Sequence, residues 1–216
     1  SDDLGIKFES VTLDMLGSYR YGSDLLNITF DPTLPRQLAS YGYDDEGAKA
    51  RKQYLIKSGI LQRALGATVS QARTGLPGVS DARADTWNRP PIDRMANLNL
   101  EPGTSGFDEM VASVRHGIYM QTVNCWSIDD SRNKFQFGCE WGRLIEDGRL
   151  TAVVKNPNYR GISATFWRNL KGLGDPSTLG GLFRAERWRG RDNLRVTFRG
   201  PWTLRTLPSA IAPILD

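Results

Sequence analysis

Residues Phe135–Gly161 read FQFGCEWGRLIEDGRLTAVVKNPNYRG, and this stretch decides the fold class. Bulky residues alternate on either side of Asp147-Gly148, and a second apolar run follows and ends in a Pro-containing turn. An Asp-Gly pair between two such runs is the strongest short-range hairpin signal a sequence offers. The same spacing recurs upstream: Leu55-Ile56-Lys57-Ser58-Gly59-Ile60-Leu61 matches Leu144-Ile145-Glu146-Asp147-Gly148-Arg149-Leu150 in residue type. Two similar hairpins predict a sheet-based scaffold. A hairpin carries no chemistry of its own, so function is sought in what surrounds it.

The chain has 216 residues, 39% hydrophobic and 24% charged, which is enough to bury a real core and excludes a disordered polypeptide. No apolar run approaches the roughly 18–20 residues of a membrane span. The opening SDDLGIKFES has neither a basic leader nor an apolar stretch, so no signal peptide is expected in this chain. Cys125 and Cys139 are too few for a disulfide framework and match no zinc spacing, which predicts two buried thiols in a reducing compartment. The net charge of +4 is uneven: Arg184 to Arg205 holds seven Arg against Glu186 and Asp192. With Trp188, Phe198 and Trp202 interleaved, that patch suits nucleic acid, a solvated hairpin face or an acidic partner equally.

Leu4, Phe8, Val11 and Met15 are spaced as one face of a short helix over Asp3–Leu16. Asp24–Phe30 then reads as a strand closed by Asp31-Pro32. Ser40–Gly47, SYGYDDEG, is turn-like and groups Asp44, Asp45 and Glu46, acids that bind a cation, act as a base, or cap a neighbouring element. A hairpin is predicted over Lys49–Leu65 and a short helix over Gln62–Ala72. Thr74–Gly106, rich in Pro and Gly, has no periodicity, and a loop of that length is often functional. Its Arg89, Asp93, Arg94 and Asn97 offer polar groups to a peptide or an anion. Ser105-Gly106-Phe107-Asp108 fits a capping box opening a helix that runs through Met110, Val111, Val114 and Ile118.

His116, the only histidine, falls in the last turn of that expected helix, where a cation or donor suits the carbonyl end. Without a second histidine it builds no conventional catalytic zinc site, and no signature pairs it with either cysteine. Strands are predicted over Tyr119–Ile128, Phe135–Ile145 and Leu150–Val154, with a polar turn at Asp129–Asn133. Ala164–Leu170 reads as a short helix. Gly172–Gly181 reads as a loop whose glycines lack any Walker or dinucleotide spacing. From Leu194 the chain alternates briefly and ends in the apolar, Pro-rich PSAIAPILD.

Taken together, SYRYGSDLLNITFDPTLP, GYDDEG, LIKSGIL, IDRMANLNLEPG, VRHGIYM, WSIDDSRNKFQFGCEWGRLIEDGRL and FWRNLKGLGD form an ordered series. From about Leu4 to Asp175 this series resembles the C-terminal part of TldD/PmbA-type proteins. The resemblance implies an α+β, β-rich domain, an antiparallel sheet or barrel-like body with few short helices. It implies one such domain over residues 1–216, with a short helical lead-in at 1–16 and a divergent basic tail at 184–216. It also implies a cytoplasmic metallopeptidase assembly of two subunits, TldD and TldE, that trims peptides. In that family zinc is held by an H-E-x-x-x-H helix and a later cysteine, and it polarises a peptide carbonyl and supplies a hydroxide.

This chain departs from the family at the metal. The H-E-x-x-x-H helix is absent from it, Ala185–Gly190 reads AERWRG where a ligand cysteine belongs, and Phe198 stands where a histidine is expected. Arginine stays protonated and cannot ligate zinc. No catalytic and no metal-ligating residue is therefore assigned to this chain, and zinc is expected only in the intact assembly. The resemblance implies a peptide chamber lined here by Asp45, Glu46, Arg94 and Asn97. The expected role is a C-terminal domain or subunit of a TldD/TldE-type peptidase, inactive alone, with a TldD- or TldE-like partner and a peptide substrate. The alternative is a non-catalytic TldE-like subunit that shapes a partner's chamber, and a nucleic-acid module stands third.

Overall fold

The computed structural model describes residues 12–35, 37, 39–131 and 133–176 and the strands 195–198 and 209–213. The signal at Asp147-Gly148 is realised as a hairpin: β8 (Lys134–Glu146) turns into β9 (Arg149–Lys155). Asp147 and Gly148 hold φ of 45° and 76°, the left-handed pair whose twist matches the flanking strands. Upstream, β2 (Gln53–Lys57) and β3 (Ile60–Leu61) are joined by Ser58 and Gly59 at φ 48° and 75°. The twin hairpins share one turn geometry.

Each turn is seated on another segment. The Gly59 N–H donates to Leu26 O, and its own carbonyl accepts from the N–H groups of Tyr21 and Gly22. A Cβ on Gly59 would lie 2.3 Å from Gly22 O and 2.5 Å from Ser23 O. Asp147 and Gly148 donate to Arg115 O and Val114 O. Glycine is required at Gly59 both by its φ and by the backbone against it.

The β2–β3 hairpin joins β1 (Ile28–Phe30) and β6 (Leu98–Leu100) in an antiparallel sheet of order β3-β2-β1-β6. The larger sheet is built on β7 (His116–Ile128), which pairs with β8 from His116↔Glu146 to Ile128↔Phe135. β10 (Asn158–Ile162), β11 (Leu170–Leu173), β12 (Arg195–Phe198) and β13 (Ser209–Pro213) extend it in the order β10-β8-β7-β13-β12-β11, with β9 also on β8. Among the pairs of described strands in this sheet only β12–β13 is parallel. β4 (Ala82–Arg83) and β5 (Ile92–Asp93) form a separate two-stranded ladder.

The strand-rich, mainly antiparallel architecture with three short helices agrees with the expected fold class. α1 is Thr68–Thr74, α2 Phe107–Ala112 and α3 Ser163–Arg168. The two larger sheets share a core in which Leu26 and Ile56 meet Met120, Phe137, Cys139, Tyr159, Phe166, Leu170 and Leu173. Phe135 stacks on Phe137 at 5.4 Å and meets Phe166 edge-on at 5.1 Å. A second core gathers Met110, Val111 and Val114 from α2 and its C-terminal end against Tyr119 and Ile145.

Several expectations are corrected. The helix expected through Ile118 stops at Ala112, and His116 lies in β7 opposite Glu146. The β8–β9 turn bonds to Val114 and Arg115 and draws the following residues into the ladder, where a helix cannot continue. Its N-cap is Gly106, and Glu109 rather than Asp108 reaches back, accepting from the Gly106 N–H at 3.2 Å. Glycine has no side chain to reciprocate, so the cap is one-sided.

The helix expected at 62–72 sits instead at 68–74 and ends at left-handed Gly75, because Gln62 and Arg63 donate to Leu55 O. The strand expected over Asp24–Phe30 is confined to Ile28–Phe30. The long 74–106 segment contains β4, β5 and β6. The loop expected from Gly172 begins inside β11, and the apolar tail supplies β13, which lies between β7 and β12. The expected lead-in helix lies outside the described residues apart from a 3-10 turn at Leu13–Met15. The 184–205 basic patch is described only for the backbone of β12.

Gly59→Ala is expected to destabilise the chain at least twice as much as Gly17→Ala in urea unfolding. Gly17 has φ 82° but nothing within 4 Å of an added Cβ, so it loses only about 1–2 kcal/mol of backbone preference.

Candidate functional site

Three of the four residues singled out as chamber lining, Asp45, Glu46 and Arg94, fall where the 44–48 turn meets α1 and the β4–β5 finger, and Asn97 lies behind them. Asp44 is buried and makes the turn: Oδ1 accepts from the N–H groups of Glu46 at 3.0 Å and Ala48 at 2.8 Å. Its Oδ2 accepts from the Ala82 N–H at 3.2 Å. Asp45 continues the clamp, donating its N–H to Ala82 O at 3.1 Å and accepting from the Ala84 N–H at 2.7 Å. Glu46 accepts from the Thr68 N–H at 2.9 Å, at the first residue of α1.

The N-cap of α1 is Ala67, which offers no side-chain cap, so the N–H groups at this end need acceptors from elsewhere. Glu46 supplies one. Asp93 supplies another, with Oδ1 accepting from the Ala67 N–H at 2.9 Å and Oδ2 from Ser70 Oγ at 2.5 Å. Negative charge at this end also suits the helix dipole. The acids grouped in the sequence thus act here as backbone acceptors.

Arg94 donates its backbone N–H to Asp81 O at 2.9 Å and leaves its side chain exposed. Asn97 is buried and cross-links three strands of chain. Its Oδ1 accepts from the Ala39 N–H at 3.2 Å, and its Nδ2 donates to Asp31 O at 3.3 Å and Ser40 Oγ at 3.0 Å. Asp45, Glu46 and Arg94 therefore border the finger, whereas Asn97 holds the segment behind it.

The finger presents Trp87 fully to solvent, 97% exposed, on a turn in which the Arg89 N–H donates to Thr86 O. Sequence reasoning missed Asp81 and Trp87. Asp81 sits in an unremarkable SDAR string, and only the fold brings it beside Asp44 and Asp93. Tyr41 packs in the same region, its hydroxyl donating to Ser80 O at 2.7 Å. Burial, with the charge of Asp44 adding to it, pushes the phenol up to about 12.

The thiols differ from expectation. Cys139 is buried and pushed up to about 11 by burial, while Cys125 is exposed. An irregularity after Val123 places Cys125 opposite Gly138, whose added Cβ would lie 2.6 Å from its Sγ. Cys139 follows Gly138 on β8 and so points to the other face of the sheet. The cysteines are both free. Among the described residues no three His, Cys, Asp or Glu side chains are arranged to hold a metal ion, so the described residues do not fit a zinc site. Residues 185–190, where the resemblance led a ligand to be expected, lie outside the described residues. No described helix is long and apolar enough to cross a membrane.

A family model described as the PmbA/TldA metallopeptidase C-terminal domain matches residues 4–204. A metalloprotease of Methanocaldococcus jannaschii is 33% identical over 159 residues, covering 74% of this chain and 35% of the relative. A zinc metalloprotease TldD homolog of Saccharolobus solfataricus is 27% identical over 146 residues, covering 67% of this chain and 33% of the relative. The crystal structure of TldE from Thermococcus kodakarensis superposes with a TM-score of 0.62 at 16% identity, over 92% of this chain and 39% of that one. The chain thus spans about a third of the length of the curated relatives it matches.

Asp44→Ala leaves three N–H groups without their acceptor and is expected to cost about 2–4 kcal/mol in urea unfolding. Asp45→Ala, which removes one partly solvated bond, should cost about 1 kcal/mol.

Proposed function

The chain belongs to the PmbA/TldA metallopeptidase family, as its C-terminal domain, and we propose that it forms the chamber wall of a TldD/TldE-type peptidase that hydrolyses peptide or amide bonds. In this reading residues 1–216 act as one C-terminal domain or subunit, and the zinc-binding H-E-x-x-x-H helix is supplied from outside this chain. The observation that carries the reading is the family match across residues 4–204, supported by a sheet-built body on which a polar turn is bonded to the base of a finger. The printed names of relatives as metalloproteases, one of them a zinc metalloprotease, support the reaction class. The exposed free thiol of Cys125 suits a reducing compartment, and we place the assembly in the cytoplasm.

The lining residues divide by what they do. Arg94 offers an exposed guanidinium, a group suited to a peptide carboxylate or carbonyl. Asp45 and Glu46 keep the turn and α1 in register beside it, and Asn97 fixes the segment that carries Arg94. Wall residues of this kind act on binding and orientation, and the bond-breaking step belongs to the partner's groups.

Mixing the chain with a zinc-bearing TldD-like homologue and assaying a peptide library tests the reading. Peptidase activity is expected only in the mixture, with zinc well below one equivalent on the isolated chain. Arg94→Ala should lower kcat/KM of the mixture about tenfold, the loss of one charge-assisted bond, with the Tm unchanged. A full equivalent of zinc with activity on the chain alone contradicts the reading. Activity gained in a mixture with a TldE-like homologue that holds no zinc likewise contradicts it, whereas gain only with a TldD-like one fits a TldE-like subunit.

A further inference from the structure

Asp81 is the one carboxyl at the clamped junction whose oxygens make no hydrogen bond. It is 1% exposed, and neither Oδ1 nor Oδ2 has a partner of hydrogen-bonding geometry. Its backbone lies between two staples of the finger: its carbonyl accepts from the Arg94 N–H, and the next N–H, of Ala82, donates to Asp44. The side chain is therefore enclosed where β4 and β5 leave the body.

The charges around it are mostly of its own sign. Asp93 comes from β5, and Asp44, Asp45 and Glu46 come from the turn. Among the cations on the adjoining elements, Arg63 donates to Gly78 O, and Arg83 and Arg94 have exposed side chains. Tyr41, with its phenol pushed up to about 12, stays neutral across the useful pH range. Ionising Asp81 thus adds a buried negative charge beside Asp93 and Asp44, the two carboxylates that staple α1 and β4.

We propose that Asp81 is a pH-operated latch for the Trp87 finger: with its carboxyl protonated the finger stays stapled to the 44–48 turn, and ionisation loosens the staple. The device would set how firmly Trp87 and Arg94 are presented at the site, and it stands independently of the peptidase reading. Burial first, then Asp93, with a smaller push from Asp44, raises the carboxyl to about 7, against the pull of the nearby N–H groups of Gly66 and of Asp81 itself.

The sign follows from proton binding. The closed finger holds the Asp81 proton up to about pH 7, whereas a solvated Asp81 releases it near pH 4. Closure is therefore fully favoured below about pH 4, weakens as pH rises toward 7, and changes no further above that. The opening equilibrium rises by up to tenfold per pH unit within that window.

Amide hydrogen exchange of the full chain from pH 5 to 8, corrected for intrinsic exchange, tests the latch. The amides of Ala82, Ala84 and Arg94 should lose up to about 100-fold protection between pH 5 and 7 and level off above, while β7–β8 amides such as Met120 hold theirs. In Asp81→Asn the finger amides should lose that pH dependence. Carbon-detected NMR of the wild-type Asp81 carboxyl, which needs no variant to fold, should give a midpoint near 7. A carboxyl titrating near 4 overturns the latch. So does an unchanged pH dependence in Asp81→Asn, or an equal loss of protection in β7–β8.

Discussion

The pairing of β7 with β8 is the constraint on which the rest of the described structure depends. It runs the full length of two 13-residue strands, interrupted by one irregularity after Val123. Met120, Phe137 and Cys139 carry the core shared with the first sheet, and Tyr119 and Ile145 carry the core under α2. A one-residue slip of this ladder would exchange the buried and solvent sides of both strands. The I′ turn at Asp147-Gly148 prevents that slip, since its bonds to Val114 and Arg115 fix where the ribbon begins.

The same economy governs the polar region. A turn, a helix start and a short finger each leave backbone groups that must be satisfied, and four carboxylates do it, three from the 44–48 turn and Asp93 from β5. That arrangement explains why acids adjacent in sequence carry structural bonds, while Arg94 and Trp87 are exposed beside them. Asp81 is the exception among these carboxyls, since neither of its oxygens has a hydrogen-bond partner.

Local signals made the ribbon and both hairpins legible, since Asp147-Gly148 and Ser58-Gly59 state their backbone geometry in two residues. The helix after Gly106 was legible in its start and not in its end. Met110, Val111 and Val114 fit a helical face, but the competing pull on His116 comes from Glu146, thirty residues away in the sequence. β13 was illegible for a similar reason: an apolar PSAIAP string becomes a strand only because β7 and β12 flank it. The polar region divides likewise. Asp45, Glu46, Arg94 and Asn97 were singled out from composition and resemblance, whereas the bonds of Asp93 and the burial of Asp81 arise only when the fold brings α1, β4 and the 44–48 turn together.

The central claim is that this domain builds a peptide-chamber wall and that the metal is held elsewhere. A structure of the chain with its zinc-bearing partner and a bound peptide analogue tests it most directly. The account predicts the 44–48 turn and Arg94 facing the peptide, with every zinc ligand outside this chain. Zinc coordinated by His116, Cys125 or Cys139, or a peptide lying away from the finger, would contradict it.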